Sequence, residues 1–159
     1  MSCTRTRCII GFGVAQIPAS GQIAKRSVEK YGKRRNRSGA MRKRVLKSVG
    51  NVVSPSALIT SDEHPRYAAE IKKAYPNMVH TQHRSVRGSL TGQGELKRNG
   101  FDPLFNINHT LAMMRDNIKR LTRRTWCTTK VANSLGDVIA IYQHYHNATL
   151  IPQPTIQLD

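Results

Sequence analysis

Few residues in this 159-residue chain have the types and spacing for chemistry, and acids are scarce among them: Lys+Arg number 26 and Asp+Glu 9, for a formal net charge of +17. Asp62 closes the short apolar run Ala57–Ser61, which reads as a buried strand. In open α/β sheets ligand sites gather at the carboxyl ends of strands, so a carboxylate there could hold Mg²⁺ against a phosphate. The competing reading is an Asp that caps the strand–helix turn. Asn108 lies one turn into a helical pattern beside Ile107 and could ligate a hard cation through its amide oxygen, or simply be a half-buried polar residue bonded to a loop. Glu63, Glu95, Asp102 and Asp116 are the other acids that could complete a metal site, although Asp102 is more simply a helix cap and Asp116 a solvated acid among arginines. His80 and His83 fall on opposite faces of any strand, and they and the pair His144 and His146 read as surface or hydrogen-bonding histidines. Cys3, Cys8 and Cys127 form neither a disulfide framework nor a zinc-finger spacing, and read as reduced, partly buried thiols.

The cations are more telling. Residues 1–50 carry 13 Lys/Arg and one acid, Glu29, a net of +12; the remaining 13 Lys/Arg and 8 acids give +5. Three clusters stand out, Lys33–Arg37, Arg42–Lys47 and Arg115–Arg124, with Arg34, Arg35, Arg42, Arg44, Arg115, Lys119, Arg123 and Arg124 as candidate phosphate contacts. Such contacts release counterions and give salt-sensitive, largely sequence-independent affinity. Charge and a sequence pI near 10.7 point to nucleic acid and away from a metabolic enzyme. No run of about 18 apolar residues is present to span a membrane, and the apolar stretch Cys8–Val14 is too short and glycine-broken for a signal peptide. A soluble cytoplasmic protein is expected.

The elements that would position these residues can be read in order. Arg7–Ile17, β-branched with two glycines, predicts a strand with a bulge at Gly11 or Gly13. Gly21–Tyr31 fits a strand or a short helix, and Gly32–Gly39 a basic loop. Ala40–Val53 predicts an amphipathic helix ended by Ser54–Pro55. Ala57–Ser61, a helix from Pro65 to about Tyr75, and Met78–His83 spell strand, helix, strand, hence a parallel crossover in an α/β fold. Arg84–Gly100 reads as an irregular insertion. Asp102–Pro103 starts a helix with Ile107, Leu111, Met114, Ile118 and Leu121 on one stripe, expected to reach about Arg124. Thr128 or Thr129 caps a last helix to about Asn147, and Ala148–Asp159 reads as an extended tail.

The strings S-D-E-H-P-R-Y (Ser61–Tyr67), G-Q-G-E-L-K (Gly92–Lys97), F-D-P-L-F-N-I-N-H-T (Phe101–Thr110), R-R-T-W-C-T-T-K (Arg123–Lys130) and I-Y-Q-H-Y-H-N (Ile141–Asn147) resemble the catalytic half of a bacterial insertion-sequence transposase of the insertion-sequence-one-like DDE type. The I-I-G-F-G-V stretch and K-Y-G-K-R (Lys30–Arg34) are similar too, so the resemblance covers roughly residues 7–147. It implies a ribonuclease-H-like core over residues 1–147 with two C-terminal helices, followed by the tail 148–159. It implies three acids holding two Mg²⁺ ions for DNA strand cleavage and transfer, one ion activating the nucleophile and the other steadying the leaving oxygen. Asp62 matches the second acid. The place of the third is taken by Asn108, with Glu95 the nearest acid upstream. The first acid would lie on a strand before Arg7, where six residues remain and none is acidic, so the chain resembles an N-terminally truncated catalytic domain that is inactive alone. The implied partner is double-stranded DNA, both insertion-sequence ends and target, with homo-oligomerisation compatible and no membrane. The alternative is a non-enzymatic basic nucleic-acid-binding protein.

Overall fold

The computed structural model describes residues 1–84, 102–122 and 131–151. It is a mixed α/β chain. Helices α1 (Ala24–Tyr31) and α2 (Ser38–Val49) precede strand β1 (Leu58–Asp62), helix α3 (Tyr67–Ala74) and strand β2 (Val79–His83); helices α4 (Phe105–Asn117) and α5 (Ala132–Tyr145) follow. Two packing units result.

The first is local in sequence. β1 and β2 pair in parallel, Leu58 opposite Val79 through Asp62 opposite His83, with α3 as the crossover, as the strand–helix–strand pattern predicts. Ile59, Ile71 and Tyr75 form its core, with Leu46, Tyr67 and Met78 against them. Arg42 on α2 makes a two-pronged ion pair to Glu70 on α3, Nε to Oε2 at 2.7 Å and Nη2 to Oε1 at 2.9 Å. The Tyr75 hydroxyl donates to the Leu46 carbonyl, closing α2 onto the end of α3.

The second unit joins residues 1–14 to α4 and α5. Ile9, Met114, Ile118, Ile139 and Tyr142 are buried together, flanked by Phe12, Val14, Leu121, Leu135 and Val138. Here the expected strand Arg7–Ile17 does not form. Residues 1–11 make a tight hairpin whose bridge pairs Ser2 with Ile9 in antiparallel sense. Its bulge is at Arg7, not at Gly11 or Gly13: Arg7 N–H donates to the Cys3 carbonyl (2.8 Å), Cys3 N–H to the Cys8 carbonyl (2.9 Å), and Arg7 takes φ 61°. Two residues thus oppose one, with the first left-handed, the geometry usually given to glycine. β-branched composition reads as strand, but the main chain of Ile9 is satisfied by side-chain amides instead of a neighbouring strand, as described below.

The two units meet where the N-terminal segment crosses α2. A Cβ on Gly11 would lie 2.3 Å from Val49 Cγ1, and one on Gly13 2.6 Å from Met41 Cγ, so both glycines serve close approach to the helix. Gly21–Tyr31, open between strand and helix, is helical from Ala24. α4 ends earlier than its apolar stripe suggests: Ile118 turns extended (φ −106°, ψ 94°) and Lys119–Leu121 form a 3₁₀ turn, which directs Ile118 and Leu121 together into the core instead of carrying a helix on to Arg124. The expected caps Thr128 and Thr129 and the insertion from 85 to 100 lie outside the described residues. Residues 148–150, read as the start of a tail, complete a π-helical turn (His146–Leu150), and Ile151 is buried behind it. No helix among the described residues is long and apolar enough to cross a membrane.

Candidate functional site

Asp62 stands at the carboxyl end of β1, in register with His83 on β2, and is exposed. Its Oδ1 accepts the His64 N–H at 3.3 Å, a turn that bends the chain out of the strand toward α3. Beside it, Ser61 Oγ is 2.9 Å from both the Asp62 carbonyl and His80 Nε2. A hydroxyl has one proton, and the carbonyl can only accept. With Ser61 donating to the carbonyl, His80 Nε2–H donates to Ser61, an arrangement that does not activate the hydroxyl as a nucleophile.

Asn108 sits in the other unit. Asp102 is not the cap the sequence suggests: α4 starts at Phe105 with Leu104 at the N-cap, and Asp102 instead shapes the turn before it, Oδ1 accepting the Leu104 N–H (2.8 Å) and Oδ2 the Asn108 Nδ2–H (3.2 Å). Asp62 and Asn108 therefore serve separate packing units. Mg²⁺ needs near-octahedral oxygen ligands, usually with one or more carboxylates. Asn108 is neutral and bonded to Asp102, Asp62 brings one carboxylate, and no group of three or more His, Cys, Asp or Glu side chains converges among the described residues. The described residues alone do not assemble a two-metal centre. Glu95 lies outside them.

Residues of two of the strings that carry the resemblance, Asn106 and His109 of one and Gln143, His146 and Asn147 of the other, instead clamp the N-terminal hairpin. Asn147 faces Ile9 as a strand would: Oδ1 accepts the Ile9 N–H (2.8 Å), and Nδ2 donates to the Ile9 carbonyl (2.9 Å). Gln143 Nε2 donates to the same carbonyl at 2.7 Å. His146 is fully buried. Its Nε2 lies 3.2 Å from the Arg7 carbonyl, which can only accept, so Nε2 carries the proton and Nδ1 is left to accept from the Tyr142 hydroxyl at 3.4 Å. Burial pushes the Tyr142 phenol up, with Tyr145 and Asp116 adding to the shift. From α4, Asn106 Nδ2 donates to the Thr4 carbonyl (2.9 Å), and Arg7 Nη2 donates to His109 Nδ1. Arg7 Nε is buried and has no hydrogen-bond partner among the described residues. The half-buried Met1 ammonium donates to the Gly11 carbonyl, and desolvation holds it below the ordinary amine range.

Reading residue by residue did not reveal this clamp. The signal was present as polar stripes at helical spacing, Asn106–His109 and Gln143–His146–Asn147, each presenting one face toward the hairpin, whose outer edge at Ile9 is met by side chains.

The candidate phosphate contacts divide. Every lysine and arginine from Lys25 to Lys47 is exposed except Arg34 and Arg42, which are half-buried. Arg42 is held by Glu70, and Arg34 lies 5.7 Å from the Tyr31 ring centroid. Arg35 and Arg44 are exposed, as are Arg115 and Lys119 on the second unit; Arg123 and Arg124 lie outside the described residues. Arg44 also lines a cleft of about 340 Å³ between the units, opposite Asn133, Gly136 and Asp137 of α5. No protein family, curated protein or solved structure matches the chain.

Proposed function

We propose that this chain binds double-stranded DNA through the basic surface of α1, the loop before α2, and α2 itself. The observation that carries the reading is the exposure of nearly every cation between Lys25 and Lys47 in a stretch whose one acid is Glu29. Such a surface attracts any polyanion along its backbone, without reading bases. The motif strings favour DNA and a bacterial insertion-sequence transposase as the context, with the parallel β1–α3–β2 unit as part of a ribonuclease-H-like core and Asp62 at the strand end where that family keeps an acid. The role assigned is strand binding, with cleavage left to residues beyond those the described structure assembles.

A salt titration tests this. Log K for a short duplex should fall linearly with log salt, and the variant Arg35→Ala/Lys43→Ala/Arg44→Ala/Lys47→Ala should lower that slope by about 3 to 4 while leaving the melting temperature nearly unchanged. An unchanged slope in the folded variant overturns the assignment of this face.

A further inference from the structure

We propose that Cys3 and Cys8 form a redox-sensitive dithiol that closes to an intramolecular disulfide across the neck of the N-terminal hairpin. The hairpin sets the geometry. Ser2 pairs with Ile9, and the flanking bonds are Cys3 N–H to Cys8 carbonyl at 2.9 Å and Ile10 N–H to Met1 carbonyl at 3.0 Å. At the bulge Arg7 and Cys8 together oppose Cys3, and the Cys3 N–H to Cys8 carbonyl bond holds residues 3 and 8 side by side across the two strands. Residues joined by a direct main-chain bond of 2.9 Å are close enough for their Cα atoms to fall within the range of about 4.4–6.8 Å that a disulfide spans. Both thiols are free and half-buried, within reach of a small reagent.

The same turn prepares the attacking sulfur. Hydrogen bonds from the Thr6 side chain and main chain, with the Arg5 charge adding, hold the Cys3 thiol below its ordinary range. A thiolate so favoured attacks one sulfur of a small-molecule disulfide such as oxidised glutathione, releasing one glutathione thiolate. Cys8, as thiolate, then attacks Cys3 Sγ in the mixed disulfide and releases the second. The two protons lost by the cysteines go to the two released thiolates. The protein dithiol is oxidised by two electrons and the reagent disulfide reduced by two. Because Ile9 and Arg7 beside Cys8 are the residues that α4 and α5 grip, the bridge would lock the clamped segment rather than a loose end.

The test uses the full chain with Cys127→Ser, equilibrated in glutathione buffers of increasing oxidised fraction, alkylated, and read by mass spectrometry of the intact protein. The expected result is a monomer that loses both alkylation sites and carries no glutathione, while Cys8→Ser in the same background stops at the glutathione adduct of Cys3. Wild-type pairing that stalls at the glutathione adduct, a disulfide-linked dimer on a non-reducing gel, or retention of both alkylation sites overturns the proposal.

Discussion

The two packing units solve the same problem by different means. In the β1–α3–β2 unit the partners are near in sequence: a parallel backbone pair with its crossover helix, and a side-chain ion pair from α3 to α2. In the second unit the chain ends are brought together, and residues 4–9 are held by side chains about 100 to 140 positions away, from Asn106, His109, Gln143, His146 and Asn147. A ladder repeats one interaction and tolerates the loss of a rung. A clamp concentrates several bonds on one residue, Ile9, whose side chain is also core. The difference teaches that regular secondary structure is not the only way to satisfy a buried backbone, and that the alternative makes single residues more consequential.

The largest effect is expected from Ile9→Ala. Removing a 3% exposed side chain from the second core should cost about 2–5 kcal/mol in chemical denaturation. Amide hydrogen exchange would show whether protection is lost in α4 and α5 while β1 and β2 keep theirs; equal loss in both would dissolve the distinction between the units. Asn147→Ala comes next, at about 1–3 kcal/mol, because it strands the buried Ile9 N–H while Gln143 still serves the carbonyl. A change within about 0.5 kcal/mol would mean water replaces the amide and the clamp is not specific.

The smallest effect belongs to the first unit and is read as a pH dependence. The Arg42 guanidinium beside Glu70 holds its carboxyl below its ordinary value of 4.5. A depressed folded value means the contribution is complete above the unfolded value and disappears as pH falls through the folded one. Wild type should therefore lose more stability than Glu70→Gln on acidification below about pH 4.5, with the two curves parallel above it. Curves parallel throughout would show that the pair contributes nothing net.

Much of the first unit was legible because its determinants are local. Apolar runs bounded by Ser-Pro and Pro-Asn, and Pro65 near a helix start, place β1, α3 and β2 within a residue or two. The second unit was legible only in part. The Asp102–Pro103 start and the apolar stripe of α4 give a helix, but the stripe alone does not show that Ile118 leaves it to reach the core with Leu121. The segment Cys8–Val14 has the composition of a strand, but it pairs on one edge with residues 1–3 only and its other edge is met at Ile9 by side-chain amides, which no window of its own residues can reveal. Arg42 reads as a cation free for phosphate and is bound to Glu70, 28 positions along.

The sequence by itself determined the charge, its concentration before residue 50, the parallel crossover and the place of Asp62 at a strand end, because composition and short-range periodicity act over one or two turns of chain. Which polar residues are spent inside the molecule is settled by long-range packing. Asn106, His109, Gln143, His146 and Asn147 have side chains that can face water, a ligand or a backbone equally well, and what they bond to depends on which distant segment folding brings beside them.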